Sequence, residues 1–366
     1  MRYTILAIFL LGSFAGSAGA QQQPAGEIYR ANQGTVGVIS GMVSGTYAQS
    51  AADLTILDDG TLRVLPVIGK GSLQNLSDIL YLRGIDIGFV QADALTYAKQ
   101  HNLFPSLTQS IRYIAKLYDE EVHVLARKDI ASIEDLNGQR VNVDVSGSGS
   151  AMTAEIVLDA LGIKPKLEHQ KQIDALETLK RGEIAAVIQV AGAPVPLFAR
   201  LPDDAGLHLL PIELNQALAQ IYLPDRLTHD NYPALVPADT TVQTLAVGDV
   251  MAVFAWSPHS ERYAKVARFV DAFFGKFDQF LQPPRHPKWR EVNLTAEVPG
   301  WTRFQAAQDW LAQHATPNNV AEASTQARFA AFLSDAKVGG NLSDAAKEEL
   351  FRQFLAWDKQ RQATHQ

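Results

Sequence analysis

Strand-like and helix-like segments alternate through the first half of the chain, and several of the strands run into loops built from glycine, serine and threonine. Residues 35–40 are rich in β-formers and lead into the glycine-bearing stretch 41–45. Residues 62–67 read as a second strand, with Pro66 arguing against a central place in a sheet, and end at Gly69-Lys70-Gly71-Ser72. Beyond Ser72, the residues Leu73, Leu76, Ile79 and Leu80 fall on one helical face. Residues 85–90 are a third strand and 92–100 a further helix. An alternation of this kind predicts an α/β fold: a mostly parallel sheet with helices on both faces.

A second α/β unit begins near residue 128. Residues 122–127 read as a strand leaving the first sheet. Ser132 and Asp135 have capping-box spacing, and Gly138 supplies a stop. Residues 140–145 are the next strand, running into Ser146-Gly147-Ser148-Gly149-Ser150 and a helix carrying Ala154, Val157, Leu158 and Leu161. A helix at 172–181 and a strand at 185–190 complete the unit. The chain then returns to the first unit through two apolar runs within 242–256. A long helix capped by Ser260 follows, with Val266, Phe269, Val270, Phe273, Phe274, Phe277 and Leu281 as its buried face, ended by Pro283-Pro284. Three more helices are expected at 304–314, 323–336 and 344–359.

Composition removes several classes of function. Lys plus Arg total 32 against 39 Asp plus Glu, a formal charge of −7, so the basic footprint of a nucleic-acid binder is missing. With no cysteine there are no disulfides, thiolate metal sites or cysteine nucleophiles. Arg2, the apolar run 5–11 and small residues ending at Ala18 and Ala20 match a secretory signal peptide cut after Ala20, which predicts export to the periplasm.

Three loops stand between a strand and a helix: 41–47, 69–75 and 146–150. Helix N-termini present unpaired N–H groups and partial positive charge, and ligands of open α/β sheets favour the carboxyl ends of the strands. Three such loops on facing lobes suit a small anion. Nucleotide loops fail on spacing, because Met152 stands where the third glycine of a dinucleotide loop belongs and Gly71 where a phosphate loop needs a hydroxyl. There is no G-x-S-x-G elbow and no H-E-x-x-H pair. Asp58-Asp59-Gly60-Thr61 reads as a turn, and Asp119-Glu120-Glu121 and Asp203-Asp204 as solvated loops. No catalytic, metal or cofactor site is expected.

Taken together the loops resemble the TAXI family, the solute-binding receptors of one branch of TRAP transporters. The family's G-T-Y-Y is met by Gly45-Thr46-Tyr47-Ala48, without the second aromatic. Its G-S followed by E-N is met by Gly71-Ser72-Leu73-Gln74-Asn75, and its acidic residue, strand and Q-x-D by residues 86–90 and Gln91-Ala92-Asp93. Its D-L-x-G-x-R/K-V then G-S-G is met by Asp135-Leu136-Asn137-Gly138-Gln139-Arg140-Val141 and Gly147-Ser148-Gly149. Gly192-Ala193-Pro194 matches a glycine-x-proline, and Val298-Pro299-Gly300 echoes an H-P-G without its histidine. The resemblance spans about residues 34 to 300.

What the resemblance implies is a two-lobe type II periplasmic binding fold, with mixed parallel sheets. Such a receptor closes on a small organic anion or amino-acid-like solute and delivers it to a TRAP-type membrane permease; it is not an enzyme. Carried across, the ligand-binding residues are Thr46, Tyr47, Ser72, Asn75, Gln91 and Asp93 from lobe one, and Ser146, Gly147, Ser148, Gly149, Gln189 and Gly192 from lobe two. The expected division is 1–20 signal peptide, 30–122 with 241–300 lobe one, 123–240 lobe two, and 301–366 a helical extension. Hinge closure is expected at 122–127 and 241–253. Asp93 either orients neighbouring donors or binds a solute amine. A periplasmic sensor docking on a membrane signalling protein, or an exported enzyme, are the alternative functions.

Overall fold

The computed structural model describes residues 34–43 and 45–314. The expected signal peptide and the helices expected at 323–336 and 344–359 lie outside the described residues. In chain order the elements are β1 (Thr35–Ile39), α1 (Thr46–Asp53), β2 (Arg63–Val67), α2 (Ser72–Tyr81), β3 (Ile87–Gln91), α3 (Asp93–Gln100), α4 (Leu107–Ser110) and β4 (Ile111–Arg127). Next come β5 (Arg140–Asn142), α5 (Gly149–Ala160), β6 (Lys166–Glu168), α6 (Gln172–Lys180), β7 (Ala186–Ala191), α7 (Pro196–Ala199) and β8 (Leu207–Leu209). The chain finishes with β9 (Leu223–Thr228), β10 (Thr241–Phe254), α8 (Glu261–Gly275) and α9 (Gln305–Gln313).

The strands are hydrogen-bonded in the order β2-β1-β3-β10-β4-β7-β5-β6, with β8 on β4 and β9 on β10. β1, β2 and β3 are parallel, as are β5, β6 and β7, while β10 and β4 run antiparallel to their neighbours. Pro66 sits in β2 at the end of this order, where a missing N–H is tolerated. The long strands β4 and β10 serve both lobes. Residues 111–121 of β4 pair with β10, and from Glu121 onward β4 pairs with β7 and then β8. β10 pairs with β9 up to Ala246 and with β3 and β4 beyond it.

Period-2 alternation feeds two apolar layers on each lobe, so the strands are buried on both faces. In lobe one Val36, Val38, Phe89, Met251 and Val253 join α8 and Trp289 on one side. Ile39, Val90, Val250 and Ala252 join α2 and α3 on the other. In lobe two Val122, Val124, Val141 and Ile188 pack under α5, while Leu125 and Val187 pack under α6. The phenylalanine face of α8 is core, as its spacing predicts. Phe273 has the rings of Phe269, Phe274, Phe277, Phe280 and Trp289 within 6 Å of its own, at 5.4–5.9 Å.

Several expectations change in three dimensions. α8 stops at Gly275, and residues 277–281 continue as a 3-10 turn. The two apolar runs of 242–256 belong to one 14-residue strand. The strand expected at 122–127 is the second half of a 17-residue strand. Asp119-Glu120-Glu121 is therefore no solvated loop: Glu120 and Glu121 are 2% and 5% exposed inside β4. Asp203-Asp204 is exposed, and Asp59 forms the expected turn by accepting from the N–H groups of Thr61 and Leu62. The helix expected at 304–314 is α9, held on lobe one by Trp310 against Phe274 at 5.1 Å. Arg303 anchors its approach, donating to the carbonyls of Ile114, Leu294, Thr295 and Ala296. Among the described residues no helix is long and apolar enough to cross a membrane.

Removal of the central ring tests this core. Phe273→Ala is expected to lower unfolding free energy by about 3–5 kcal/mol in urea titrations; a loss under about 1 kcal/mol would place the ring outside the cooperative core.

Candidate functional site

A cavity of about 270 Å³ opens between the lobes. Its wall is made by the starts of four helices, two from each lobe. The N-cap residues Gly45 of α1, Gly71 of α2, Ser148 of α5 and Lys171 of α6 all line it. Two of the helices begin there for a local reason. Gly71 takes a left-handed φ of 105° that glycine adopts without strain, and the Ser148 hydroxyl accepts from the Ala151 N–H at 3.1 Å. The first-turn N–H groups and aligned peptide dipoles of four helices thus bring partial positive charge to one space. Lys70 and Lys171 add full charges at its exposed rim.

The floor is set by β3, β4 and β7 through Gln91, Glu120 and Gln189. Ser72 positions Gln91: its hydroxyl donates to Gln91 Oε1 and accepts from the Gln91 backbone N–H, both at 3.0 Å. This leaves Gln91 Nε2 buried with no hydrogen-bond partner. Gln189 Oε1 is likewise buried and unpartnered. Gly149 keeps the lobes close, because a Cβ there would collide with Gln91 Oε1 and come within 2.6 Å of Ser72 Oγ. Asp144 also lines the cavity, with a left-handed backbone at φ 77° and an unpartnered Oδ1. Such a conformation is rare outside glycine and tends to mark ligand sites.

Of the residues singled out in the sequence, Thr46, Tyr47, Gln91, Ser148, Gly149 and Gln189 line the cavity. Ser72 stands behind Gln91. Asn75 is buried beside it and donates to the Phe89 carbonyl at 2.7 Å. Ser146 is exposed, and Gly147 accepts from the Gln74 N–H across the lobes at 3.1 Å. The Gly192 carbonyl accepts from Thr46 Oγ1 at 3.3 Å. Asp93 faces the opposite lobe instead of the cavity. Its Oδ2 accepts from Thr153 Oγ1 and from the Tyr222 hydroxyl, both at 2.9 Å. The sequence reading missed Glu120 and Asp144. Glu120 lies in a charged run with no apolar period, whereas Asp144 closes a strand directly before the glycine-serine loop, a placement that could have been noticed.

Burial dominates the electrostatics. It raises Glu120 to about 8, Glu121 to about 7, and Asp93, Asp144 and Asp225 each to about 6. Groups with raised acid pKa values bind more protons folded than unfolded, so they make stability fall as pH rises from the ordinary carboxylate range through the raised value. For Asp93 that window ends near pH 6. Between pH 5 and pH 8 the unfolding free energy of wild type is expected to fall more than that of Asp93→Asn, by about 1–1.5 kcal/mol in chemical denaturation. Parallel curves would show that Asp93 is not desolvated between the lobes.

The expected fold class, mixed α/β in two lobes around a cavity, is the observed one. Three solved structures are similar over most of their length, at low identity. The periplasmic binding protein BugD is 13% identical, covering 76% of this chain and 93% of its own, with a TM-score of 0.47. The alkanesulfonate-binding protein SsuA from Xanthomonas axonopodis pv. citri, bound to MOPS, is 16% identical over 84% and 95%, with a TM-score of 0.44. Tv2483 bound to L-arginine is 12% identical over 74% and 95%, with a TM-score of 0.42. The sequence profile of the NMT1-like family matches residues 41–273, well over half of the chain, and the chain belongs to that family.

Proposed function

We propose that this protein is an extracytoplasmic solute-binding receptor that captures a small carboxylated organic solute and hands it to a TRAP-type membrane permease. The observation that carries the reading is the convergence of four helix N-caps on one inter-lobe cavity. Partial positive charge and free N–H groups suit a carboxylate, and the cavity needs no buried arginine to hold one. Gln91 Nε2 and Gln189 Oε1 are a donor and an acceptor waiting for a guest, since buried polar atoms are otherwise paired. The TAXI-like blocks supply the permease partner, and the signal-like residues 1–20 supply the compartment.

β4 and β10 are the natural hinge, being the strands whose partners change at Glu121 and Ala246. Closure around a guest removes water from the site, which makes each hydrogen bond in it count for more.

Thermal shift against panels of carboxylates, amines and neutral sugars tests the reading. At least one carboxylate is expected to raise the melting temperature, and Gln91→Ala and Gln189→Ala are each expected to weaken its binding about tenfold by calorimetry. Stabilisation by amines or sugars alone would overturn it. Loss of that carboxylate's uptake on deletion of the gene is the expected sign of delivery to a permease.

A further inference from the structure

A buried acid at the floor of a cavity built for an anion is a contradiction that the geometry resolves. Glu120 lines the cavity, is 2% exposed, and accepts the Tyr47 hydroxyl on Oε2 at 2.9 Å. The charged and titratable groups that face it are Tyr47 from α1, Tyr118 and Glu121 of its own strand β4, Lys288, Asp93 at the start of α3, and Asp249 of β10. Neither buried ammonium group of this neighbourhood is bonded to Glu120. Lys288 bonds Glu121 Oε1 at 2.6 Å and Glu291 at 2.8 Å, and Lys116 bonds Asp119 at 2.6 Å. Asp249 sits where the β10–β4 register slips, is fully buried, and has no hydrogen-bond partner on either carboxylate oxygen. Two carboxyls without a bonded cation lie buried side by side at the cavity floor, an arrangement that burial and mutual repulsion oppose while both are ionised.

We propose that Glu120 is a carboxylic acid at neutral pH, that its proton makes it a hydrogen-bond donor to an oxygen of the guest, and that loss of this proton to solvent gates the affinity for anions. The inference rests on the carboxylate-receptor reading and adds to it a specificity-determining residue. Burial against Asp249 and Glu121 is its physical source, and the raised titration of Glu120 to about 8 agrees with it. Below that pH the floor presents an O–H to the guest. Above it the floor presents a negative charge, repels the anion, and cancels part of the attraction of the helix N-termini.

Two measurements on the full chain test the proposal. The first is carboxyl ¹³C NMR with labelled glutamate, the resonance of Glu120 being assigned by its loss in Glu120→Gln or its displacement in Tyr47→Phe. Glu120 is expected to be protonated at pH 7 and to titrate near 8; a Glu120 already ionised at pH 6 would overturn the idea. The second is calorimetry with succinate and malate, neither of which titrates between pH 7 and pH 9. Binding only the protonated form means that affinity follows the neutral fraction, so wild type is expected to lose roughly tenfold over that interval. Glu120→Gln, which keeps an N–H donor and cannot ionise, is expected to lose the fall. The same fall in Glu120→Gln, or affinity that rises with pH, would sink the proposal. If neither probe binds at either pH, the carboxylate reading is what fails for these solutes, and the NMR titration still decides the state of Glu120.

Discussion

The pairing of β4 with β10 is the constraint on which the rest of the molecule depends. These strands pass through both lobes, exchange partners at Glu121 and Ala246, and so join the parallel strands of the two lobes in one sheet. A continuous antiparallel ladder transmits register, and a one-residue slip would turn every side chain to the opposite face. The irregularity around Asp249 is where this ladder gives way, and a bulge of that kind re-aims a side chain next to a functional site. Glu120, Asp249 and Gln91 meet there because β10, distant in sequence, pairs between β3 and β4.

Met152 of α5 packs into the apolar layer of lobe one, and around it the lobes are joined by polar contacts. Asp93 receives hydroxyls from Thr153 and Tyr222, Thr46 reaches Gly192, Gln74 reaches Gly147, and the Ala193 N–H reaches Glu121. A handful of directional bonds can be made and broken together, whereas interdigitated apolar cores cannot slide. Two of the buried carboxyls belong to this seam: Asp93 and Glu121 each accept a hydrogen bond from the opposite lobe, which partly offsets their desolvation.

The cavity joins two opposed electrostatic surfaces. Helix starts and rim lysines favour an anion, while the floor holds carboxyl groups that burial pushes toward their neutral forms. A protonated acid beside a dipole-rich wall offers hydrogen bonds on every side with little net charge to neutralise. Such a site reads the shape and oxygen pattern of its guest more than its total charge.

Much of this was legible in the chain because it is local. Hydrophobic period, glycine punctuation and N-cap chemistry marked β1, β2, β3, α2, α5, α6 and α8, and the glycine-serine loops pointed to the helix starts that line the cavity. The short strands β6, β8 and β9 were not legible: β6 and β8 have three residues each, and β9 interrupts its apolar residues with Pro224-Asp225-Arg226. Glu120 and Glu121 looked solvated for a physical reason: a charged triplet is normally paid for by water, and only β10, α1 and Lys288, all distant in sequence, remove that water. Asp93 likewise carried a motif but not an address. Sequence determined by itself which segments are strands and helices and which loops begin helices, because those preferences act over a few residues. Tertiary structure alone decided which polar groups face the guest, which bridge the lobes and which acids keep their protons, because burial is a property of the neighbours the fold supplies.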